Sequence, residues 1–201
     1  MLGAIILAAG ASERMGHPKA LLIYRGETFL SGILAVLYAA GIERRVVVLG
    51  HDADKVLQNQ DLSQCIVVQS TDLAAGPIGS IRTGLAVLLN HPVEAVVVWP
   101  VDRPHVSLDT IRALVDGFRS SGRPVVVPVL GGKRGHPVLF SRTVFEELAD
   151  VPDDVGARHV VHADPNRVHE VEVADPAVLE DFNTPAEYEG LVRREDQMGS
   201  E

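Results

Sequence analysis

The chain of 201 residues contains a single cysteine, Cys65, so no disulfide can close within it. That usage suits a reducing compartment. Cys65 stands in Cys-Ile-Val-Val and is expected to be a small core residue rather than a nucleophile. No apolar run reaches membrane-spanning length, which excludes a transmembrane helix. The first residues lack a basic region and a cleavage site, so no secretory signal is expected and the placement reads as cytoplasmic. A basic excess is also missing, since the net charge is −9. Nucleic-acid-binding domains usually show a basic face or stripe. The nearest thing here is the short Arg14, His17 and Lys19 cluster, which suits one small anionic ligand. No nucleic-acid or membrane partner is expected. Two familiar phosphate-binding signatures are missing as well. A P-loop needs G-x-x-x-x-G-K-S/T, whereas Gly10 and Gly16 have five residues between them and His17-Pro18 separates Gly16 from Lys19. The dinucleotide fingerprint G-x-G-x-x-G is absent.

What remains is a packed globule, with 46% hydrophobic residues in a chain long enough for one sizeable core. Apolar runs alternate with helical patterns, which argues for a mostly parallel sheet with helices on its faces. The strand candidates are Ala4–Leu7, Arg45–Leu49, Cys65–Gln69, Ala95–Trp99 and Pro124–Val127. Their Val and Ile content without alternation suits strands buried on both faces. Thr28–Ala40 reads as a helix stopped by Gly41. Ile81–Leu89 and Leu108–Phe118 carry helical spacing, the second with Ser107 as N-cap. From about Leu130 the alternation breaks down. Gly131-Gly132-Lys133-Arg134-Gly135-His136-Pro137 reads as a hairpin-like turn. Val168–Val173 alternates as a strand would. Thr184–Arg194 reads as a final helix with Pro185 at its first position. One domain over residues 1–194 and a polar, frayed tail over 195–201 are expected.

Residues 5–22 are the most informative segment. A buried strand ends in Ala8-Ala9-Gly10-Ala11-Ser12, small residues that let a backbone approach a ligand. Consecutive free N–H groups there can form an anion nest. Arg14 adds a planar fork and Lys19 a point charge, together matching a polyphosphate. An ordinary strand-to-helix loop would share much of this composition. The pattern L-A-A-G-x-S-x-R-M-G-x-x-K-x-L-L, however, resembles the signature of nucleotidyltransferases related to the molybdenum cofactor guanylyl- and cytidylyltransferases, within the MobA-like NTP transferase superfamily. Leu7, Ala8, Ala9, Gly10, Ser12, Arg14, Met15, Gly16, Lys19, Leu21 and Leu22 carry the match. The resemblance implies a single-domain, Rossmann-like α/β fold of the nucleotide-diphospho-sugar transferase type, with a small hairpin-like acceptor region towards the C-terminus.

Ligands in open α/β sheets sit outside the carboxyl ends of the strands. Asp102 follows the Val96–Trp99 run and, if that strand neighbours the first, would stand beside the triphosphate. Mg²⁺ prefers one or two carboxylates together with phosphate oxygens and water. A turn Asp before a Pro is the plainer reading. Asp102 and Pro104 match the family's D-x-P metal motif, while Arg103 departs from the Met or Gln expected between them. That departure bears on the acceptor, for which Arg103 and His136 are the candidates. Asp181 and Asn183, in Asp181-Phe182-Asn183-Thr184-Pro185, resemble the family's D-x-D/N-T-P, and either could supply an oxygen to the metal. Asn-Thr-Pro is equally a good helix start. Gly76-Pro77-Ile78-Gly79-Ser80 opens a helix, and the family uses this loop beside base and ribose. The guanylyl branch tends to G-P-L-x-G and the cytidylyl branch to G-x-x-x-S, so the loop leaves the base open. Gly135-His136-Pro137 and Val155-Gly156-Ala157-Arg158 resemble cytidylyl-branch segments. His136 could line the acceptor pocket or brace the hairpin. The remaining histidines show no metal-ligand spacing.

The resemblance implies transfer of a nucleoside monophosphate, CMP from CTP, onto a phosphorylated acceptor with release of pyrophosphate. Arg14, Lys19 and Asp102 are the catalytic candidates. Leu7 to Ser12, Arg14, Lys19, Gly76, Gly79 and Ser80 are the nucleotide-binding ones. Mg²⁺ or Mn²⁺ on Asp102 with Asp181 or Asn183 is the implied cofactor. The implied acceptor is molybdopterin, with a molybdoenzyme as recipient of the product. Alternatives are a guanylyltransferase, a transferase for a sugar phosphate or phospholactate, a non-catalytic molybdenum cofactor chaperone, or a nucleotide-sensing domain.

Overall fold

The computed structural model describes residues 1–70 and 72–198. The sheet strands in chain order are β1 (Leu2–Ala8), a small ribbon of β2 (Ile23–Tyr24) and β3 (Glu27–Thr28), β4 (Arg44–Leu49), β5 (Ile66–Gln69), β6 (Ala95–Pro100), β7 (Val125–Leu130), β8 (Lys133–Arg134), β9 (Val138–Ser141) and β10 (Val168–Glu172). The helices are α1 (Phe29–Ala39), α2 (Ala53–Asn59), α3 (Gly76–Leu88), α4 (Leu108–Ser121), α5 (Phe145–Asp150), α6 (Arg158–Ala163) and α7 (Pro185–Met198). The main sheet runs β10-β7-β9-β6-β1-β4-β5, with β8 paired to β7. The pairings β1–β4, β1–β6, β4–β5 and β7–β10 are parallel, whereas β9 runs against both β6 and β7. This is the mixed, mostly parallel α/β sheet that the alternating pattern implies.

The strands lack alternation because both faces are covered. Ile5, Val46, Val48, Val96 and Val98 pack under α3 and α5. Ala4, Ile6, Val47, Val97 and Trp99 face the opposite layer, which contains Ile33 and Leu37 of α1, Leu114 of α4 and Leu191 of α7. Successive residues thus feed two separate cores, each requiring an apolar partner. Trp99, Phe29 and Phe140 are fully buried, and each contributes roughly 1.5–3 kcal/mol by leaving water.

Helix starts follow their caps. The Thr28 side chain accepts from Ser31 N at α1, and the Ser107 side chain from Thr110 N at α4. At α7, Glu187 N donates to Thr184 Oγ1 while Thr184 N donates to Glu187 Oε2, a reciprocal capping box. The apolar runs on either side of the expected 131–137 turn, β7 and β9, run antiparallel; within that turn β8 folds back on β7 through Gly131 and Gly132, both with positive φ. Three helices, α2, α5 and α6, fall where no helix was expected; each has six or seven residues, too short for a clear apolar period. The boundary expected after residue 194 is corrected: α7 continues to Met198, and Glu195 accepts from Tyr24 Oη at 3.0 Å and Arg25 Nε at 2.7 Å. The rest of the expected tail, 199–201, lies outside the described residues. Cys65 is half-buried, and burial raises its thiol pKa, which leaves it a poor nucleophile. No helix among the described residues is long and apolar enough to cross a membrane.

The sheet register sets the site. Leu7 pairs with Pro100, Ala8 with Leu49, and Leu49 with Gln69. The carboxyl ends of β1, β4, β5 and β6 therefore share one edge. The chain leaves β1 towards β4 on one side and later returns to β6 on the other, which makes β1 the switch point where such sheets open a crevice. Removing the α1 cap by Thr28→Ala should cost about 1 kcal/mol and lower Tm by about 2–4 °C. A thermal melt followed by circular dichroism checks this, and an unchanged Tm would deny the cap its role.

Candidate active site

A cleft of about 510 Å³ opens at this edge. It is lined by Leu7 to Arg14, Lys19, Gly76, Ser80, Asp102 and Asn183. The structure thus brings together all the expected nucleotide-binding residues but one. Gly79 stands in α3 with its Cα against the Asp72 carbonyl; an added Cβ would lie 2.6 Å from that oxygen. Its smallness lets the segment before α3 close against the helix, and the cleft takes Ser80 instead. Asp52, Val56 and Leu73 also line the cleft and carry no motif in the sequence.

The loop after β1 is shaped by its own backbone. Ser12 has φ +52° and Gly16 φ +73°. The Ser12 carbonyl accepts from Met15 N at 2.9 Å and Gly16 N at 3.0 Å. Met15 is buried beneath the loop while Arg14 is exposed above it. The Ser12 hydroxyl accepts from Lys19 N at 3.3 Å, closing the loop onto the next turn. Among the described residues, the N–H groups of Gly10 to Arg14 find no acceptor and Arg14 has no hydrogen-bonding partner. Free N–H groups beside an unspent guanidinium form a cradle for an anion. Gly50, after β4, explains how close the loop lies to the sheet. A Cβ there would fall 2.1 Å from the Ala9 carbonyl oxygen. Nothing in the motif pattern pointed to Gly50.

At the far side of the cradle, Lys19 Nζ donates to Asp102 Oδ2 at 3.1 Å and to Asn183 Oδ1 at 2.6 Å. The Lys19 and Asp102 side chains keep 14% and 22% of their exposure, so the pair is largely shielded from water. Asn183 Nδ2 donates to Asp181 Oδ2 at 2.9 Å. A carboxylate only accepts and an ammonium only donates, so these partners fix which way the amide points. This separates the two candidates left open by the sequence. Asn183 turns its oxygen to the cleft, and Asp181 stands behind it as its acceptor. Backbone contacts hold the parts in place: Val101 N donates to Leu7 O at 3.1 Å, and Phe182 N to Asp102 O at 3.2 Å.

Two oxygens from distant segments thus converge on one positive charge. That arrangement fits a hard divalent cation, with the remaining positions filled by phosphate and water. Among the described residues no group of three or more His, Cys, Asp or Glu side chains could hold a metal by itself. The donor set therefore suits a cation that arrives with a nucleotide.

The two acceptor candidates differ. Arg103 Nη1 is committed to backbone, donating to Val178 O at 3.0 Å and Glu180 O at 2.9 Å. His136 N donates to Val178 O at 2.9 Å, while its ring Nδ1 is buried without a partner. Burial, seconded by the Arg103 charge, pushes the imidazole pKa down to about 4 against the opposing pull of Asp102 and Asp181. Arg158, of the Gly-Ala-Arg segment, donates Nε to Val155 O, a local bond at the start of α6. His105, expected to be structural, is partly buried and meets Glu180 Oε2 at 3.1 Å.

A family model for the MobA-like NTP transferase domain matches residues 4–170. This chain belongs to that family. It is a nucleotidyltransferase of the MobA-like type, as the opening loop implies. Nicotine blue oxidoreductase of Paenarthrobacter nicotinovorans is 30% identical over 192 residues, covering 90% of this chain and 91% of that protein. A probable molybdenum cofactor guanylyltransferase of Bacillus cereus strain AH820 is 32% identical over 137 residues, covering 67% of this chain and 64% of that protein. Among solved structures, Rv0371c of Mycobacterium tuberculosis H37Rv superposes with TM-score 0.83 at 35% identity, over 96% of this chain and 97% of that one. A second structure of Rv0371c, complexed with manganese, gives TM-score 0.78 at 34% identity over 96% and 98%.

The His136 shift has a pH consequence. Between pH 6.5 and about 4 the folded imidazole stays neutral while the unfolded one binds a proton. Acid therefore favours the unfolded chain, and stability should fall by about 3 kcal/mol across that window. NMR titration should place His136 near 4, and His136→Gln should flatten this part of the stability–pH curve. A His136 pKa near 6.5 would overturn the assignment.

Proposed function

We propose that this protein transfers a nucleoside monophosphate from a nucleoside triphosphate to the phosphate of a small acceptor. The observation that carries this reading is the Lys19 ammonium held between Asp102 and Asn183, facing a loop of free N–H groups. An oxygen of the acceptor phosphate attacks the α-phosphorus. The bond from that phosphorus to the bridging oxygen breaks, and its electron pair leaves with pyrophosphate. The attacking oxygen is already anionic, so the protein's task is alignment and charge stabilisation rather than proton removal. Backbone N–H groups from Gly10 to Ser12 cradle the phosphates. Arg14 and Lys19 stabilise the charge that grows on the departing pyrophosphate. Gly76 and Ser80 lie beside base and ribose. Asp102 and Asn183 hold Mg²⁺ or Mn²⁺, which when bound neutralises phosphate charge; the manganese complex of Rv0371c supports a divalent ion in this fold. Asp181 keeps the Asn183 oxygen turned to it. The chain through α7 acts as one nucleotidyltransferase domain.

The base we propose is cytosine. Where the guanylyl pattern G-P-L-x-G ends in glycine, this chain has Ser80, and Ser80 lines the cleft. A side chain at that position narrows the space left for a purine. The Gly135-His136-Pro137 segment supports the same branch, and the guanylyltransferase relative from Bacillus cereus makes GTP the competitor to test. The proposed acceptor is molybdopterin, its cytosine dinucleotide the product and a molybdoenzyme the recipient. His136, whose ring feels the charges of Asp102 and Asp181, is the residue proposed to meet the acceptor. The oxidoreductase relative suggests a second reading, in which turnover would release no pyrophosphate.

Pyrophosphate release from CTP or GTP with molybdopterin and Mg²⁺ tests the reading. Asp102→Ala and Lys19→Ala should each lose about 10²–10³ in kcat with the fold intact by circular dichroism. Near-wild-type turnover in either would remove that residue from the mechanism. With Mg²⁺ present, CTP should raise Tm more than GTP at equal concentration, because the tighter ligand stabilises more. The reverse order would assign guanylyl transfer.

A further inference from the structure

Arg103 is the one position of the Asp102-Arg103-Pro104 turn that departs from the family pattern, and its side chain joins the two halves of the site. Its Nη1 bridges two carbonyls of the segment leading to Asn183, Val178 O at 3.0 Å and Glu180 O at 2.9 Å. Its own carbonyl accepts from Trp99 Nε1 at 3.0 Å, and Trp99 is fully buried in β6. The turn is thus anchored to the sheet at one end and grips the later segment at the other. The same segment is held at its next contacts: Val178 O by His136 N, Phe182 N by Asp102 O, and the Glu180 carboxylate by His105 and by both Nη atoms of Arg194, each at 3.0 Å. Arg103 is the residue of this set adjacent in sequence to Asp102. A methionine there would offer no donor at all, and a neutral glutamine amide would lack the charge that strengthens a hydrogen bond to a carbonyl.

We infer that Arg103 is a positioning residue that sets the Asn183 oxygen opposite Asp102, rather than a reader of the acceptor. The inference rests on the nucleotidyl-transfer reading for its consequence, but the clamp itself can be tested without any ligand.

Hydrogen exchange on the free protein gives the first measurement. In Arg103→Met, which removes both hydrogen bonds from Arg103 to this segment, the amides of Glu180 and Phe182 should exchange at least about tenfold faster, while β1 and β6 keep their protection. Arg103→Lys, which retains a charged donor, should restore most of it and covers the case in which the methionine variant folds poorly. Mn²⁺ binding in the presence of CTP, read by electron paramagnetic resonance, gives the second. Arg103→Met should weaken Mn²⁺ by about tenfold, while Lys19 remains free to take the phosphates. Unchanged exchange at Glu180 and Phe182 would overturn the clamp whatever the protein's activity. Faster exchange with unchanged Mn²⁺ affinity would overturn the link to Asn183. A wild-type protein that binds no Mn²⁺ with CTP or GTP, yet shows the exchange difference, would refute the functional reading and leave the clamp standing.

Discussion

The site depends on one ammonium group. Lys19 Nζ joins an oxygen 83 residues further along the chain to one 164 residues away. None of the three side chains would be comfortable there alone. A half-buried carboxylate needs a counter-charge, and a half-buried lysine needs acceptors. Each satisfies the others, and the strand edge beneath them supplies the rigidity. The order of β4, β1 and β6 brings the loop and Asp102 together, and the return of the chain after β10 delivers Asn183.

Around this centre the molecule divides into parts that differ in how they are held. The nucleotide side is made from a single loop that folds on its own backbone, with Ser12 accepting from Met15 and Gly16. The side proposed for the acceptor is assembled from four separate stretches around residues 103, 136, 178 and 194, tied by side chains to carbonyls and carboxylates. The first kind of structure is compact and local. The second depends on tertiary contacts that a single substitution can loosen. Such a division suits an enzyme family that keeps one triphosphate chemistry while varying what receives it.

The same division explains what could be read from the sequence. Strands β1, β4, β5, β6, β7 and β10, the loop after β1, Asp102 and the capped starts of α4 and α7 were legible because their signals are local: β-branched runs, small residues, a cap followed by an apolar period. The choice between Asp181 and Asn183 was not, since it turns on Lys19 lying on one side of Asn183 and Asp181 on the other. Arg103 reads as an acceptor candidate because it departs from the family pattern between Asp102 and Pro104. Its partners are backbone carbonyls, which carry no sequence signature. Gly79 and Ser80 sit side by side in the motif, and only the helix phase decides that the serine meets the cleft. The six- and seven-residue helices α2, α5 and α6 were missed because so few turns hold no readable period.

Gly50 illustrates the point from the other direction. The atom nearest to a side chain at position 50 would be a carbonyl oxygen in another strand's loop, 2.1 Å away, inside any permissible contact. No rotamer relieves that, because the clash begins at the first carbon. Every L-residue other than glycine would therefore have to push Ala9 outwards, and Ala9 leads directly into the N–H groups of Gly10 to Ser12. The cradle owes its height above the sheet to a hydrogen atom, and the end of β4 is as much a part of the phosphate loop as the loop itself.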